Sequence, residues 1–244
     1  MAKKGIDISY CQTAVDWNTL KVDFVIMRAG YGKYAYQKDS MFEIHYKNAC
    51  NKGIAKGAYW YSYAMSEAEA LQEATACITA LKGKKFEYPI YFDVEEPKQK
   101  ALGKAKVSAI IKTFCSTMEA AGYWVGIYTN VDWYKNVIAD DIKKRYAIWI
   151  ASWDVAKPAI SGPYGIWQYK VGRIAGVSGD CDLDYAYVDY PTQVKKAGKN
   201  GYSKTPVSKP HVSKPPVPKP AKKKTLSMTC TVDGVTYTGI LTQK

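Results

Sequence analysis

Residues 88–97 read YPIYFDVEEP, an apolar run that leads straight into three acids within four positions. As a β-strand the stretch alternates. Ile90, Phe92 and Val94 share one face, and Tyr91, Asp93 and Glu95 share the other. Asp93 and Glu95 then stand with Cα atoms roughly 6.5–7 Å apart on one side of the strand. Glu96-Pro97 closes it, because proline donates nothing to a ladder and restricts the residue before it. The stretch reads as a strand with an apolar outer face and two inward acids at its C-terminal end. Glu96, on the outer face, reads as structural.

The flanking sequence decides what kind of sheet this strand joins. Residues 3–9, 23–30 and 54–63 read as strands, and a helical pattern over 41–52 closes at Gly53. Ser66 and Glu69 form a capping box that opens a helix with the apolar stripe Leu71, Ala74, Cys77, Ile78 and Leu81. Val107, Ile110, Ile111, Phe114, Cys115 and Met118 mark one face of a further helix, which ends at Gly122. Residues 123–129, 146–153, 164–169 and 181–188 read as strands, with a less regular helical region over about 131–145. Strands that alternate with helices imply a parallel sheet, and eight of them imply closure. After Trp153 the helices give out. The expected fold class is therefore α/β, an irregular TIM-like (β/α) barrel whose last strands lack helices. An open doubly wound sheet would want a glycine-rich phosphate loop after its first strand, and GIDISYCQ supplies none.

The chain has 244 residues, 47% of them apolar, enough for one large domain and something small. Its net charge of +13 is unevenly spread, since residues 193–244 hold 11 lysines against Asp233 alone. Residues 198–224 repeat Lys-Pro units without core residues, the composition of a stiff extended spacer. Past it, MTCTV-DG-VTYTGIL places Asp233-Gly234 between two β-rich runs, a hairpin signal. The expected organisation is a catalytic barrel over 1–192, a linker over 193–225 and a hairpin over 226–244 that binds the wall or associates with itself. A basic tail suits an anionic partner such as a cell wall, a nucleic acid or a membrane surface. No run of 18 apolar residues implies a membrane span, and MAKKGIDISYCQ has no apolar core of a secretory signal.

Six cysteines at 11, 50, 77, 115, 181 and 230 form no CxxC pair, and the histidines are His45 and His211 alone. Neither zinc nor a Cys/His or Ser/His/Asp nucleophile finds its residues, and no cofactor or metal is expected. Most of the cysteines read as small buried hydrophobes, and His45 as a satisfied helical histidine. What remains is carboxylates. Asp7 sits near the end of the first strand, and Asp182 and Asp184 sit in the last, which adjoins the first in a closed barrel. DLDYAYVDY lacks the glycine and glutamate of a calcium loop. Acids converging on one mouth repel one another, a cost tolerated chiefly for chemistry or a cation. Paired carboxylates without a nucleophile system fit glycoside hydrolysis. The 21 tyrosines and 7 tryptophans agree, because rings with an apolar face and a polar edge make sugar platforms. Tyr59, Tyr61 and Tyr63 share a strand face, Tyr128 ends the fifth strand, and Trp149 and Trp153 lie near the end of the sixth.

GIDIS at 5–9, IYFDVEE at 90–96, GIYT at 126–129, WIASW at 149–153, WQY at 167–169 and CDLDY at 181–185 resemble, in this order, the family 25 glycoside hydrolases. The resemblance covers about residues 3–190. It implies muramidase activity on the β-1,4 bond between N-acetylmuramic acid and N-acetylglucosamine of peptidoglycan. It also implies Glu95 as general acid and Asp93, Asp7 and Asp182 as its catalytic partners, with Asp184 where the family more often has asparagine. Tyr61, Tyr63, Tyr128, Trp153, Gln168 and Arg28 are the substrate-binding candidates. The tail suggests an endolysin that waits in the host bacterial cytoplasm until holin-mediated release to the cell wall. A non-catalytic, lectin-like wall-binding barrel and a chitinase-type glycosidase are the alternatives. Inversion, a covalent intermediate and substrate assistance all stay open at this point.

Overall fold

In the computed structural model, residues 2–204, 225–232 and 234–242 are described. Contacts divide the chain into two compact units, Met1–Thr205 and Pro206–Lys244. The first is built on β1 (Lys3–Ile8), β2 (Phe24–Tyr31), β3 (Ala55–Tyr61), β4 (Ile90–Asp93), β5 (Val125–Asn130), β6 (Ala147–Ala151), β7 (Ile166–Gly172) and β8 (Cys181–Ala186). These close into a barrel in chain order. β1 to β7 pair in parallel, whereas β8 runs antiparallel to both β7 and β1. The expectation of a parallel sheet therefore fails at its last strand. Only residues 173–180 join β7 to β8, too few for the crossover that a parallel return requires. The reversal brings the start of β8, with Asp182, to the end of the barrel where β1 and β4 finish.

Between the strands lie α1 (Phe42–Asn51), α2 (Glu67–Leu81), α3 (Pro97–Lys100), α4 (Gly103–Ala120), α5 (Val131–Asn136) and α6 (Asp140–Arg145), and α7 (Tyr190–Ala197) follows β8. The face expected for α4 is the buried one throughout. In α2 the buried face is rotated from the expected stripe. Ala70, Glu73, Ala74, Cys77 and Leu81 face inward, while Leu71 is exposed. The capping box at its start is half made. Ser66 Oγ accepts from the Glu69 N–H at 3.2 Å, but the Glu69 carboxylate accepts from the Met65 N–H and Lys33, both at 2.8 Å. β4 ends at Asp93, so Glu95 lies beyond the strand rather than in it. Pro97 acts less as a strand stop than as a helix start, in the first turn of α3 with Glu96 as its N-cap.

The core has two layers. Ile90, Phe92 and Val94 face the helices as alternation requires, and Phe92 stacks on Phe114 of α4 with ring centres 3.8 Å apart. Phe24, Ile26, Tyr88, Tyr91, Tyr128, Trp149, Ile166 and Tyr190 fill the barrel itself. These rings fit because neighbouring strands offer glycine. A Cβ on Gly126 would meet the Tyr91 ring at 2.4 Å, and one on Gly5 would meet Phe24 at 2.4 Å.

The barrel unit continues past residue 192, where the linker was expected to begin. α7 packs Tyr190 and Val194 inward. Beyond it, Asn200 is fully buried and adopts φ of 55°, which asparagine tolerates better than most residues. Its side chain donates to Tyr88 O at 2.8 Å and accepts from the Trp124 N–H at 2.7 Å. The remaining Lys/Pro stretch, residues 205–224, lies outside the described residues. In the second unit β9 (Thr225–Val232) and β10 (Val235–Thr242) form an antiparallel hairpin, with Val232 opposite Val235 and Gly234 at φ of 80° in the turn. Of the cysteines, 77, 115 and 181 are buried, and 11 and 50 are exposed. His45 is buried, and its Nε2 donates to Ser9 O at 3.2 Å.

Candidate active site

Asp93 is the last residue of β4. Its register partners are Tyr61 on β3 and Tyr128 on β5, so its carboxyl points into the barrel between two tyrosines. Past it the chain stays pinned on both sides. Ser62 N donates to Asp93 O, Val94 N to Tyr128 O, each at 3.0 Å, and Thr129 Oγ to Val94 O at 2.9 Å. Glu95 thus keeps a defined place at the rim although the strand has ended. Asn130 stands beside it, with an orientation set by its role as N-cap of α5, where its Oδ1 accepts from the Trp133 N–H. The opposite wall is β1 and β8. Asp7 is directly across from Asp182, and Asp184 lies two residues further along β8, toward the barrel's interior.

These acids are shielded from water, and burial is the first cause of every shift among them. Asp7, Asp93 and Asp184 are held well above the usual carboxylate range, first by burial and then by one another and by Asp182 and Glu95. Asp182 is pushed up to about 6 by burial. Glu95 is raised by burial and by Asp182, while Asn130 opposes the shift. Each acid that ionises makes its neighbours harder to ionise, so the crowding favours the protonated forms across the cluster. Tyr128 stands among them. Burial is again the first cause of its raised hydroxyl pKa, followed by Glu95, Asp93, Asp7 and Asp182.

A single amide joins two of the expected binding residues to one of the expected catalytic acids. Gln168 on β7 donates from Nε2 to Asp7 Oδ2 at 2.8 Å. Its Oε1 accepts from the Tyr128 hydroxyl at 3.0 Å and from Trp153 Nε1 at 2.9 Å. Trp153 is half exposed at the rim, free to offer a ring face. Tyr61 and Tyr63, centres 4.9 Å apart, lead away from the acids into a cleft of about 510 Å³. Arg28, Tyr10, Tyr31, Lys38, Asp39 and Ser40 line the rest of it. Arg28 is held by Asp39 (Nε to Oδ2, 2.7 Å) under the Tyr10 ring at 4.5 Å, and its charge lowers the Asp93 pKa.

Two rings expected as platforms are core instead. Trp149 is buried in the barrel and donates from Nε1 to Asp184 Oδ1 at 2.8 Å. Tyr59 packs edge-on against it at 6.0 Å. The interior of this barrel is filled by side chains, so rings borne mid-strand cannot reach a sugar.

Some supporting residues escape a linear reading. Glu73 of α2 is fully buried behind the Tyr61–Tyr63 segment. Its carboxylate accepts from Ser62 Oγ at 2.9 Å and from the Tyr63 N–H at 2.8 Å. Gln99 of α3 donates to Ser62 Oγ and Ala64 O, each at 2.9 Å, and so ties the segment after Glu95 to the same loop. A glutamate inside an otherwise apolar helix face was the available signal for Glu73. Asp39 and Tyr10 carried none.

Comparison with known proteins finds relatives of the chain. A family model for glycosyl hydrolases family 25 matches residues 6–177. The autolytic lysozyme of Clostridium acetobutylicum is 31% identical over 187 residues, covering 74% of this chain and 55% of its own length. This chain thus spans about half of that relative. The crystal structure of the CTP1L endolysin superposes with a TM-score of 0.69 at 26% identity, over 79% of this chain and 69% of the other. The modular autolysin LytC of Streptococcus pneumoniae, solved with a synthetic peptidoglycan ligand, gives 0.68 at 29% identity, over 76% of this chain and 47% of the other.

Proposed function

The chain belongs to the glycosyl hydrolases of family 25, and on that footing we propose that it is a muramidase that cleaves the β-1,4 bond between N-acetylmuramic acid and N-acetylglucosamine in bacterial peptidoglycan. The observation that carries the reading is the cluster of shielded carboxyls around Tyr128 at the barrel mouth. Glu95, at the rim and with a raised pKa, is the proton donor to the glycosidic oxygen. Asp93, Asp7 and Asp182 face the sugar carbon that turns positive as the bond breaks. Their mutual repulsion in the free protein is relieved when that charge appears. They therefore bind the transition state better than the ground state. Tyr61, Tyr63 and Trp153 supply ring faces and hydrogen-bonding edges, and Tyr128, Gln168 and Arg28 orient the sugar's polar groups.

In this reading the protein acts on the wall from inside a host and is held in the bacterial cytoplasm until a holin opens the membrane; the likeness to an endolysin supports the action on the wall. Among the described residues no helix is long and apolar enough to cross a membrane. The C-terminal hairpin, too small to be stable alone, serves wall binding or self-association. Light scattering of the full chain beside a chain ending at Lys204 tests the second role, and equal monomer masses remove it. The activity itself is tested by reducing-end release from peptidoglycan beside chitin. Release from peptidoglycan alone supports the muramidase. Release from chitin favours the chitinase-type alternative, and binding without release favours the lectin-like barrel.

A further inference from the structure

Arg28 is the cation that faces the cleft beside the acids, and one edge of it has no protein partner. It stands on β2 next to Tyr59 of β3, and Tyr61, two residues further along β3, pairs with Asp93 of β4. Two strand spacings, roughly 9–10 Å, therefore separate the strand of Arg28 from the strand of Asp93. Tyr61, which lines the cleft of about 510 Å³ together with Arg28, belongs to the strand between them. Lys38, the other cation of the cleft, is paired with Glu43 at 3.1 Å.

The guanidinium is clamped. Its Nε donates to Asp39 Oδ2 at 2.7 Å, and the Tyr10 ring covers one face at 4.5 Å, with the Tyr31 ring 5.7 Å away. Asp39 is itself fixed. Its side chain is fully buried, and it accepts from the Tyr10 N–H at 3.0 Å and from the Met41 N–H at 2.8 Å. One carboxylate therefore sets both the arginine and the ring over it. The terminal nitrogens, Nη1 and Nη2, bond to no protein group among the described residues and are not sealed from the cleft, and the side chain stays 18% exposed. A guanidinium held at Nε keeps the planar fork that receives a carboxylate in two parallel bonds. Being already ordered, it loses little freedom when it does so.

Acids on one side of Tyr61 and a fork for an acid on the other suit a substrate whose reacting carbon turns positive beside an anionic arm. On the muramidase reading the substrate has such an arm. N-acetylmuramic acid differs from N-acetylglucosamine by a lactyl ether. Its carboxyl is free in a bare glycan strand. In the wall it is the amide that starts a peptide stem, which bears carboxylates of its own. Chitin has neither. We propose that Arg28, clamped by Asp39 and Tyr10, determines specificity by receiving a carboxylate of the muramyl arm, either the lactyl group's own or one on its stem. This assignment rests on the muramidase reading and adds to it what separates peptidoglycan from chitin. Asp39 is then a positioning residue for Arg28.

The test is binding without turnover. Full-length protein carrying Glu95→Gln, with and without Arg28→Gln, is titrated by its tryptophan fluorescence with three soluble oligosaccharides of equal length. These are muramyl strands stripped of peptide, muramyl strands with their stems, and chitin fragments. With the arginine in place, at least one muramyl ligand should bind about 10–100-fold more tightly than the chitin fragment. Arg28→Gln should bring it down to the chitin fragment's affinity. Loss confined to stripped strands assigns the lactyl carboxylate, and loss confined to stem-bearing strands assigns the stem. Arg28→Lys keeps a charge for Asp39 but not the fork, and should recover only a few-fold of the advantage. Equal affinity of the arginine protein for all three ligands would overturn the proposal, and that result needs no Arg28 variant to fold. So would an Arg28→Gln protein, folded by circular dichroism, that keeps the muramyl advantage or weakens all three ligands alike. Nothing has to be cleaved in this experiment. Arginine-dependent binding of the anionic ligands without reducing-end release from peptidoglycan would therefore remove the muramidase reading while leaving the carboxylate site in place.

Discussion

Glu73 carries no chemistry in this site, yet it should govern how firmly the Tyr61–Tyr63 platform is held. It is 1% exposed, and burial is the main cause that pushes its carboxyl from 4.5 up to about 7, with the Ser62 and Tyr63 bonds pulling the other way. A displacement of that size corresponds to roughly 3 kcal/mol. The sign follows from linkage. The folded-state value lies above the unfolded one, so the stabilisation is complete below about pH 4.5 and is lost as pH rises through about 7. Glu73→Gln replaces the protonated form with a permanent neutral one. Its stability relative to the parent should improve by about 1–3 kcal/mol between pH 5 and pH 8.5. Urea unfolding followed by tryptophan fluorescence at both pH values reads this directly, with equal slopes confirming comparable two-state transitions. A parent and variant that respond identically to pH would refute the reasoning, because Glu73 would then be titrating as an exposed acid.

Three further outcomes follow from the same contacts. Asn200→Ala should leave the Trp124 N–H and Tyr88 carbonyl without their partner in the barrel floor, at about 2–5 kcal/mol. Calorimetry should show a melting temperature lower by roughly 5–15 °C, and an unchanged melt would return the linker start toward residue 193. Gln168→Ala should raise KM more than it lowers kcat, since it frees Trp153 and Tyr128 while leaving Glu95 in place. A pure kcat loss in steady-state assays would place Gln168 in the chemistry instead. Chains of the parent expressed in a bacterium should leave the cells intact until the membrane is opened, and lysis on expression alone would contradict the endolysin reading.

The barrel was legible because period-two and helical patterns are local. YPIYFDVEEP told inside from outside, and the α4 face was readable residue by residue. The direction of β8 was not, because it depends on how far eight residues can reach rather than on any pattern within the strand. Asp7, Asp93 and Asp182 were legible as strand-borne acids, and register then brought Asp7 and Asp182 face to face. Trp149 was misread, since a ring near a strand's end and a ring inside the barrel look alike until the interior is filled. Asn200 was out of reach for another reason. Its partners are backbone groups on distant segments, and no residue type announces that.

The central claim is that Glu95 delivers the proton that breaks the glycosidic bond. Glu95→Gln keeps the shape at the rim and removes the proton. Reducing-end release from purified peptidoglycan, measured on the folded variant beside the parent, should fall by about 10²–10⁴ while wall binding is retained. Release within a few-fold of the parent would contradict the account.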